Sequence, residues 1–167
     1  GFPFACEART ELERNQSRAP RVNVSIHVDS LTRESIKMAI YHLSVKTVSR
    51  SSGRSATGAA AYRAGVEIVD ERTGLVHDYT RRSGVVSADL TLPANAPTWA
   101  SDRSALWNGA ELSETRKNST VAREFELALP DELTAAQRRE LVATFARELA
   151  DRHGVAVDAA IHLPDRE

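Results

Sequence analysis

One phenol and a cluster of cations share a short stretch of this chain. Lys46, Arg50, Arg54 and Arg63 fall within positions 46–63, where no acidic residue occurs, and Tyr62 stands among them on a run of Ala and Gly. Cations at this density neutralise phosphate charge. A phenolic oxygen can attack phosphorus to form a phosphotyrosyl ester while the displaced sugar oxygen leaves as a 3′-hydroxyl. Tyrosine side chains in general ionise near pH ~10, so such an attack calls for a metal-polarised phosphate, a neighbouring base, or both. Plainer roles compete at each position. A tyrosine on a small-residue helix also serves packing, and the cations also suit a solvated edge.

Period-two alternation supplies a surface to hold these groups. Over 39–47, Ala39, Tyr41, Leu43 and Val45 share one face, and Ile40, His42, Ser44 and Lys46 the other. Over 121–130, Val121, Arg123, Phe125, Leu127 and Leu129 alternate with Glu124, Glu126 and Ala128. Over 155–163, Val155, Val157, Ala159 and Ile161 alternate with Asp158, Ala160 and His162. As neighbours in one sheet, these strands would show His42, Ser44, Lys46, Glu124, Glu126, Asp158 and His162 on a common polar face. Imidazoles and carboxylates on such a floor can hold a divalent cation. Glu126 shares the predicted face with His162 and is the candidate partner carboxylate, with Glu124 second. His27, His77 and His153 read as structural or solvated groups.

The intervening elements follow from turn and capping signals. Residues 48–53 are a Ser/Arg/Gly loop. A helix follows from Ala56 to about position 66, capped by Ser55 or Thr57, and its small side chains let it lie close to a sheet or a ligand. Segments 66–69 and 75–79 predict a hairpin around 70–74, and Arg81 to Gly84 form a basic flexible loop. A further strand is expected over 85–92, then a break at 93–97. A helix capped by Ser101 or Asp102 runs to about 117 with Trp107 and Ala110 inward. Thr134 and Gln137 spell a capping box. It opens an amphipathic helix that reaches His153, with Leu141, Val142, Phe145 and Leu149 as its apolar stripe and Gly154 as its stop. This order predicts an α+β fold: an antiparallel sheet with helices packed on one face.

Bulk composition narrows the rest. A chain of 167 residues is one domain with a core. A net charge of −1 means that any DNA contact must come from local patches. Cys6 is the single cysteine, which excludes an intrachain disulfide or a cysteine-only zinc site and fits a reducing cytosol. No apolar run is long enough to span a bilayer and residues 1–20 lack a secretory apolar core, so no membrane insertion is expected. In 1–37 only the alternation of Val22, Val24, Ile26 and Val28 suggests a strand. Met38 is the only methionine. Arg33-Glu34 can be encoded by AGG-GAG, which looks like a ribosome-binding site ahead of a start codon. The expectation is a domain over 38–167 and a non-native or upstream-encoded extension over 1–37, with a native N-terminal strand or tail as the alternative.

The stretch MAIYHLSVKTVSRSSGRSATGAAAYRAG resembles the opening of the MobA/MobL mobilisation relaxases, the nicking enzymes of mobilisable and conjugative plasmids. The similarity continues through REFELALPDELTAAQRRELV and VDAAIHLPDRE and covers 38–167. It implies an HUH-type relaxase fold, incomplete at the C-terminus, with a metal at the centre of the sheet. It implies site- and strand-specific nicking of single-stranded origin-of-transfer DNA, with a 5′-phosphotyrosyl link and later religation. Tyr62 would be the nucleophile, His162 the first of three metal histidines, and the ion Mg²⁺ or Mn²⁺. His42 belongs to the opening motif and would stand behind the metal ligands or beside Tyr62. DNA contacts are expected from Lys46, Arg50, Arg54 and Arg63, with Arg81 and Arg82 adding to them. The implied partners are origin DNA and, for the full-length form, relaxosome accessory proteins and a coupling protein, in the bacterial cytoplasm. One departure matters. The family's other two metal histidines form a His-x-His motif, and this sequence contains none. The chain is therefore expected to nick weakly or not at all. A truncated, non-catalytic origin-binding module stays open as a reading. So does a rolling-circle replication initiator, although the opening motif argues against it.

Overall fold

The computed structural model of the chain describes residues 23–30, 43–130 and 132–163, the first of these through its backbone only. The described residues form β1 Asn23–Ser30, β2 Leu43–Ser49, α1 Ala56–Ala64, β3 Glu67–Val69, β4 Val76–Asp78, β5 Val85–Thr91, α2 Arg103–Ser113, β6 Thr120–Leu129, α3 Ala135–His153 and β7 Val157–His162. Five strands make one sheet in the order β2-β6-β1-β7-β5, and β3 and β4 make a separate hairpin. This is the expected α+β class.

The sheet is mixed. Its outer pairings, β2 with β6 and β5 with β7, are antiparallel, while β1 pairs in parallel with both β6 and β7. Alternation does not carry strand direction. Here α3 sets it: 19 helical residues return the chain to the end of the sheet where β6 began, as a parallel crossover requires. The helix is delimited as its sequence suggests, by a complete Thr134–Gln137 capping box and by Gly154 in the left-handed region at φ 64°.

Helices cover both faces rather than one. On the first face α3 packs Val142, Ala146 and Ala150 against Leu129, Val157, Ala159 and Ile161. The small Ala146 and Ala150 let α3 settle on β7. The buried line is therefore 142, 146 and 150, and Leu141, expected in the stripe, is left 47% exposed. On the second face α1 and α2 bury Ala56, Ala60, Ala61, Trp107 and Ala110 with Val48, Val121 and Ala122 of the sheet. All six residues of β7 are consequently buried. Leu43 and Val45, expected in the core, are half-exposed. Their strand is at the edge, and α3 lies over β7 and β5, away from it. Positions 39–42 fall outside the described residues.

The second face carries carboxylates, and the helices above it satisfy them. Asp158 on β7 accepts hydrogen bonds from Arg103 Nε and Nη2 at 2.9 and 3.1 Å and from Trp107 Nε1 at 2.8 Å, which pins α2 to the sheet. Glu111 of α2 is fully buried; it accepts from the Ala56 backbone N–H at 2.6 Å and from Arg50 Nε at 3.0 Å. Arg50 turns its remaining N–H groups to the C-terminal end of α2. It donates to the carbonyls of Glu114 at 2.7 Å and Arg116 at 3.1 Å, and to that of Glu111. A cation at a helix C-terminus also suits the helix dipole. Replacing Glu111 by Ala would leave the Arg50 charge buried and uncompensated, so unfolding in urea is expected to show a loss of about 3–5 kcal/mol. Arg72→Ala, which removes only the longer 3.5 Å contact to Glu111 from a side chain 37% exposed, should cost about 1 kcal/mol or less. Equal losses for the two would contradict this role for Glu111.

Candidate active site

Tyr62 sits in the last turn of α1. Ser55 caps that helix, accepting from the Gly58 N–H at 3.0 Å, and Gly65 ends it at φ 64°. A Cβ at Gly65 would lie 3.2 Å from Val85 Cγ2, so glycine serves here both for the left-handed backbone and for close approach of the loop 79–85. That loop closes on itself through Arg82 N–H to Tyr79 O at 2.9 Å. It then grips the tyrosine. Arg82 Nη1 donates to the Tyr62 carbonyl at 2.6 Å, and the guanidinium carbon lies 3.7 Å from the Tyr62 ring centroid. The Tyr79 ring meets Tyr62 edge-on, with centroids 5.2 Å apart and planes at 87°. A cation over one face and a ring at the side are each worth about 0.5–1.5 kcal/mol and restrict the ring's orientation. Tyr62 nevertheless stays 46% exposed.

The nucleophile candidate and His162 share one end of the sheet. His162 is buried and stands in register with Val85 of β5. Two residues beyond Arg82, Gly84 O accepts the Leu163 N–H at 2.8 Å, so the loop that holds Tyr62 is bonded to the residue after His162. Arg63, adjacent to Tyr62, reaches Glu124 on β6, and Glu124 and Asp158 lie on one face through their common register partner on β1. Tyr62 is thus outside the hydrophobic interior and on the polar side of the sheet.

Two of the four cations expected to meet DNA do something else. Arg63 is buried and donates from Nε to Glu124 Oε1 at 3.0 Å; Arg50 is committed to Glu111 and the end of α2. The reading of Arg50 and Arg63 as phosphate contacts is corrected accordingly. Each lies over a face that carries a buried carboxylate, and an unpaired buried carboxylate is costly. Arg54 also pairs with Glu124, at 2.7 Å, but its side chain stays 39% exposed. Lys46 pairs with Glu126 at 2.5 Å and stays 52% exposed. Burial works against the charge on Glu124, yet the Arg63 and Arg54 guanidiniums outweigh it and hold the carboxyl below its ordinary range.

Glu126 shares the second face with Glu124, and its carboxylate accepts a hydrogen bond from Lys46 Nζ at 2.5 Å. Strand β1 runs between β6 and β7, its position 27 in register with Glu126 and Ala160 and its position 29 with Ala128 and His162. Two strand spacings, about 9–10 Å, therefore separate the strand of Glu126 from that of His162. His42 lies outside the described residues. Among the described residues no three His, Cys, Asp or Glu groups converge on a point where a metal ion could be held. His162 is therefore not joined by two further such groups among the described residues.

Sequence reasoning missed Tyr79, the stacking role of Arg82 and the helix-pinning role of Glu111. A partial signal existed for Tyr79: His77 and Tyr79 are two apart on a strand and so share a face. Nothing local signals that Arg82 turns back over α1.

Residues 54–167 match the model of the MobA/MobL family. The chain belongs to the MobA/MobL family. Among curated relatives, the mobilization protein MobL of Acidithiobacillus ferridurans is 59% identical over 134 residues, covering 78% of this chain and 35% of that protein. A probable mobilization protein MobA of Bifidobacterium longum is 41% identical, covering 75% of this chain and 22% of that protein. The chain therefore spans about a third or less of the length of these relatives. A solved structure described as "Molecular Basis of Vancomycin Resistance Transfer in Staphylococcus aureus" aligns with a TM-score of 0.69 and 36% identity, over 73% of this chain and 62% of that one.

For this MobA/MobL chain the Glu124 geometry fixes the sign of a pH effect. A carboxyl held low in the folded state contributes stability above its ordinary value of 4.5, and that contribution disappears as the pH falls through the folded value. Melting temperatures of wild type and Glu124→Gln are expected to differ most near neutrality and to converge in acid. A gap that widens below about pH 4 would contradict the assignment.

Proposed function

We propose that this chain is the strand-nicking part of a plasmid mobilisation relaxase acting on single-stranded origin-of-transfer DNA. The observation that carries the reading is the exposed phenol of Tyr62, held between Arg82 and Tyr79 on the polar side of the sheet in a chain of this family. The Tyr62 oxygen attacks the scissile phosphorus and gives up its proton to solvent or a base. The P–O bond to the upstream sugar breaks, and its oxygen takes a proton to become a free 3′-hydroxyl. The DNA is left joined through its 5′ phosphate to the tyrosine, and attack by a 3′-hydroxyl reverses the step. Arg82 uses one N–H on the Tyr62 carbonyl, and the rest of its fork, over the Tyr62 ring, can meet phosphate oxygens, with the exposed Arg81 next to it in the chain. Lys46 and Arg54 extend this positive surface.

A divalent ion would polarise the phosphate in such a reaction. The described donors do not close around one, so its remaining ligands would have to come from elsewhere. That same observation favours a second reading, an origin-binding module that grips DNA without cutting it. Origin DNA is the proposed partner in both readings, with transfer-machinery proteins for the whole protein and the bacterial cytoplasm as the compartment. No helix among the described residues is long and apolar enough to cross a membrane.

A labelled oligonucleotide spanning the origin beside the encoding gene, incubated with the full-length protein and Mn²⁺, is expected to yield a covalent adduct on a denaturing gel that Tyr62→Phe abolishes. An adduct that survives in Tyr62→Phe would overturn the assignment, and DNA binding with no adduct under any condition would select the second reading. Arg82→Ala should slow adduct formation by about 10–100-fold through loss of ring placement, with Arg82→Lys intermediate. For the 167-residue chain, millimolar Mn²⁺ is expected to leave the melting temperature unchanged, since an ion stabilises only a fold that binds it. A rise of several degrees would show a competent site.

A further inference from the structure

The hairpin of β3 and β4 lies against α1, and a seam runs between them. Its α1 wall presents Ser55, Gly58 and Tyr62, which share a helix face by their three- and four-residue spacing. Its β4 wall presents His77 and then Tyr79. The contacts pair off in order. His77 Nε2 is 3.3 Å from Ser55 Oγ, the His77 ring fills the space beside Gly58, and Tyr79 meets Tyr62. A Cβ at Gly58 would come within 3.0 Å of His77 Cε1, so only glycine lets the imidazole lie across the helix at this point.

One end of the seam is the Tyr62–Arg82 site. The other opens into a cavity of about 570 Å³ whose lining includes Arg54, Arg72, Lys117, His77, Leu75 and Leu112. Its size falls within the range of small-ligand sites, roughly 300–1,000 Å³. The two buried acids in the wall are already satisfied: Glu111 by Arg50 and Ala56, and Asp70 by Thr57 Oγ1 at 2.6 Å and the Thr73 N–H at 2.9 Å. What faces outward is mostly cationic and apolar, with the carboxylate of Glu114 also in the lining. Arg72 and Lys117 are exposed, and Leu75 and Leu112 are 60% and 52% exposed. This combination fits one nucleotide, with cations for its phosphate and leucine side chains against its base. Ser55 and Tyr62 are seven residues apart on α1, so the cavity lies about 10 Å along the helix from the phenol.

We infer that this cavity is a nucleotide subsite on a single-stranded DNA track that runs along the α1–β4 seam to Tyr62. The inference rests on the single-stranded DNA reading above but requires no cleavage. The groups that hold the flanking nucleotide are Arg72, Lys117 and Leu112, and none of them lies in the 46–63 stretch that advertises phosphate binding in the sequence.

Binding of fluorescein-labelled oligo(dT), followed by anisotropy across a salt series, tests the subsite. Lys117→Glu is expected to weaken binding about tenfold at low salt and to flatten the salt slope by about 0.7, the contribution of one phosphate on a single strand. Leu112→Ala should weaken binding several-fold with the slope unchanged. Arg139→Glu, the same charge reversal on exposed α3 across the sheet, controls for overall charge and should have little effect. Equal weakening by Lys117→Glu and Arg139→Glu, or unchanged binding in Lys117→Glu, would sink the subsite while leaving the Tyr62 chemistry standing. Failure of the wild-type chain to bind oligo(dT) at low salt would sink both.

Discussion

The buried carboxylate of Glu111 joins α2 to a stretch of chain more than fifty residues before it. It receives the first free N–H of α1 and the guanidinium of Arg50, which stands just after β2 and closes the end of α2. Because its charge is out of water, each partner is held by a penalty for leaving rather than by a small gain for staying. The position of α1 follows from this. Helix α1 is nine residues of mostly Ala and Gly with almost no side-chain bulk to anchor it, yet its far end must hold a tyrosine in place. One anchor is polar and sits at its start, and Arg63, paired with Glu124, is a second near its end.

The same principle governs the whole second face of the sheet. Asp158, Glu124 and Glu126 each draw a cation from a different element: Arg103 from α2, Arg63 and Arg54 from α1 and its approach, and Lys46 from β2. A face that would otherwise bind solvent or a ligand is thereby partly roofed by helices. The cations divide into two groups by burial. Arg50 and Arg63 are structural, and the more exposed Arg81, Arg82, Arg54 and Lys46 remain near the surface where phosphate could reach them. A count of basic residues cannot separate these groups, because both arise from the same stretch of chain.

Around Tyr62 the constraint becomes geometric. Gly65 lets the helix end against the loop 79–85, and the loop returns Arg82 across the phenol and ties its own exit to the chain after His162. Gly58 performs the matching service for His77 two turns earlier. Two glycines on a thin helix thus let a hairpin lie close enough to line a continuous seam. The tyrosine at one end and the basic, leucine-edged cavity at the other are two openings of one packing arrangement.

Much of this was legible beforehand, for physical reasons that act locally. The caps at Ser55, Asp102 and Thr134, the stop at Gly154, the hairpin after α1 and the alternating faces of β6 and β7 depend on residues within one turn or one strand of each other. Their sequence signals were therefore sufficient. The inward Trp107 and the exposed Tyr62 on its small-residue helix were equally readable. Strand direction, the second layer of helices, the exposure of Leu43 and Val45 at an edge, and the loss of Arg50 and Arg63 to the carboxylates of Glu111 and Glu124 were not. The sequence by itself determined which groups exist and on which side of each element they stand. The tertiary structure alone decided which charges meet, because Arg50 and Glu111 are 61 residues apart, as are Arg63 and Glu124. A pairing across that separation is chosen by the cost of burying either charge alone, which no local pattern records.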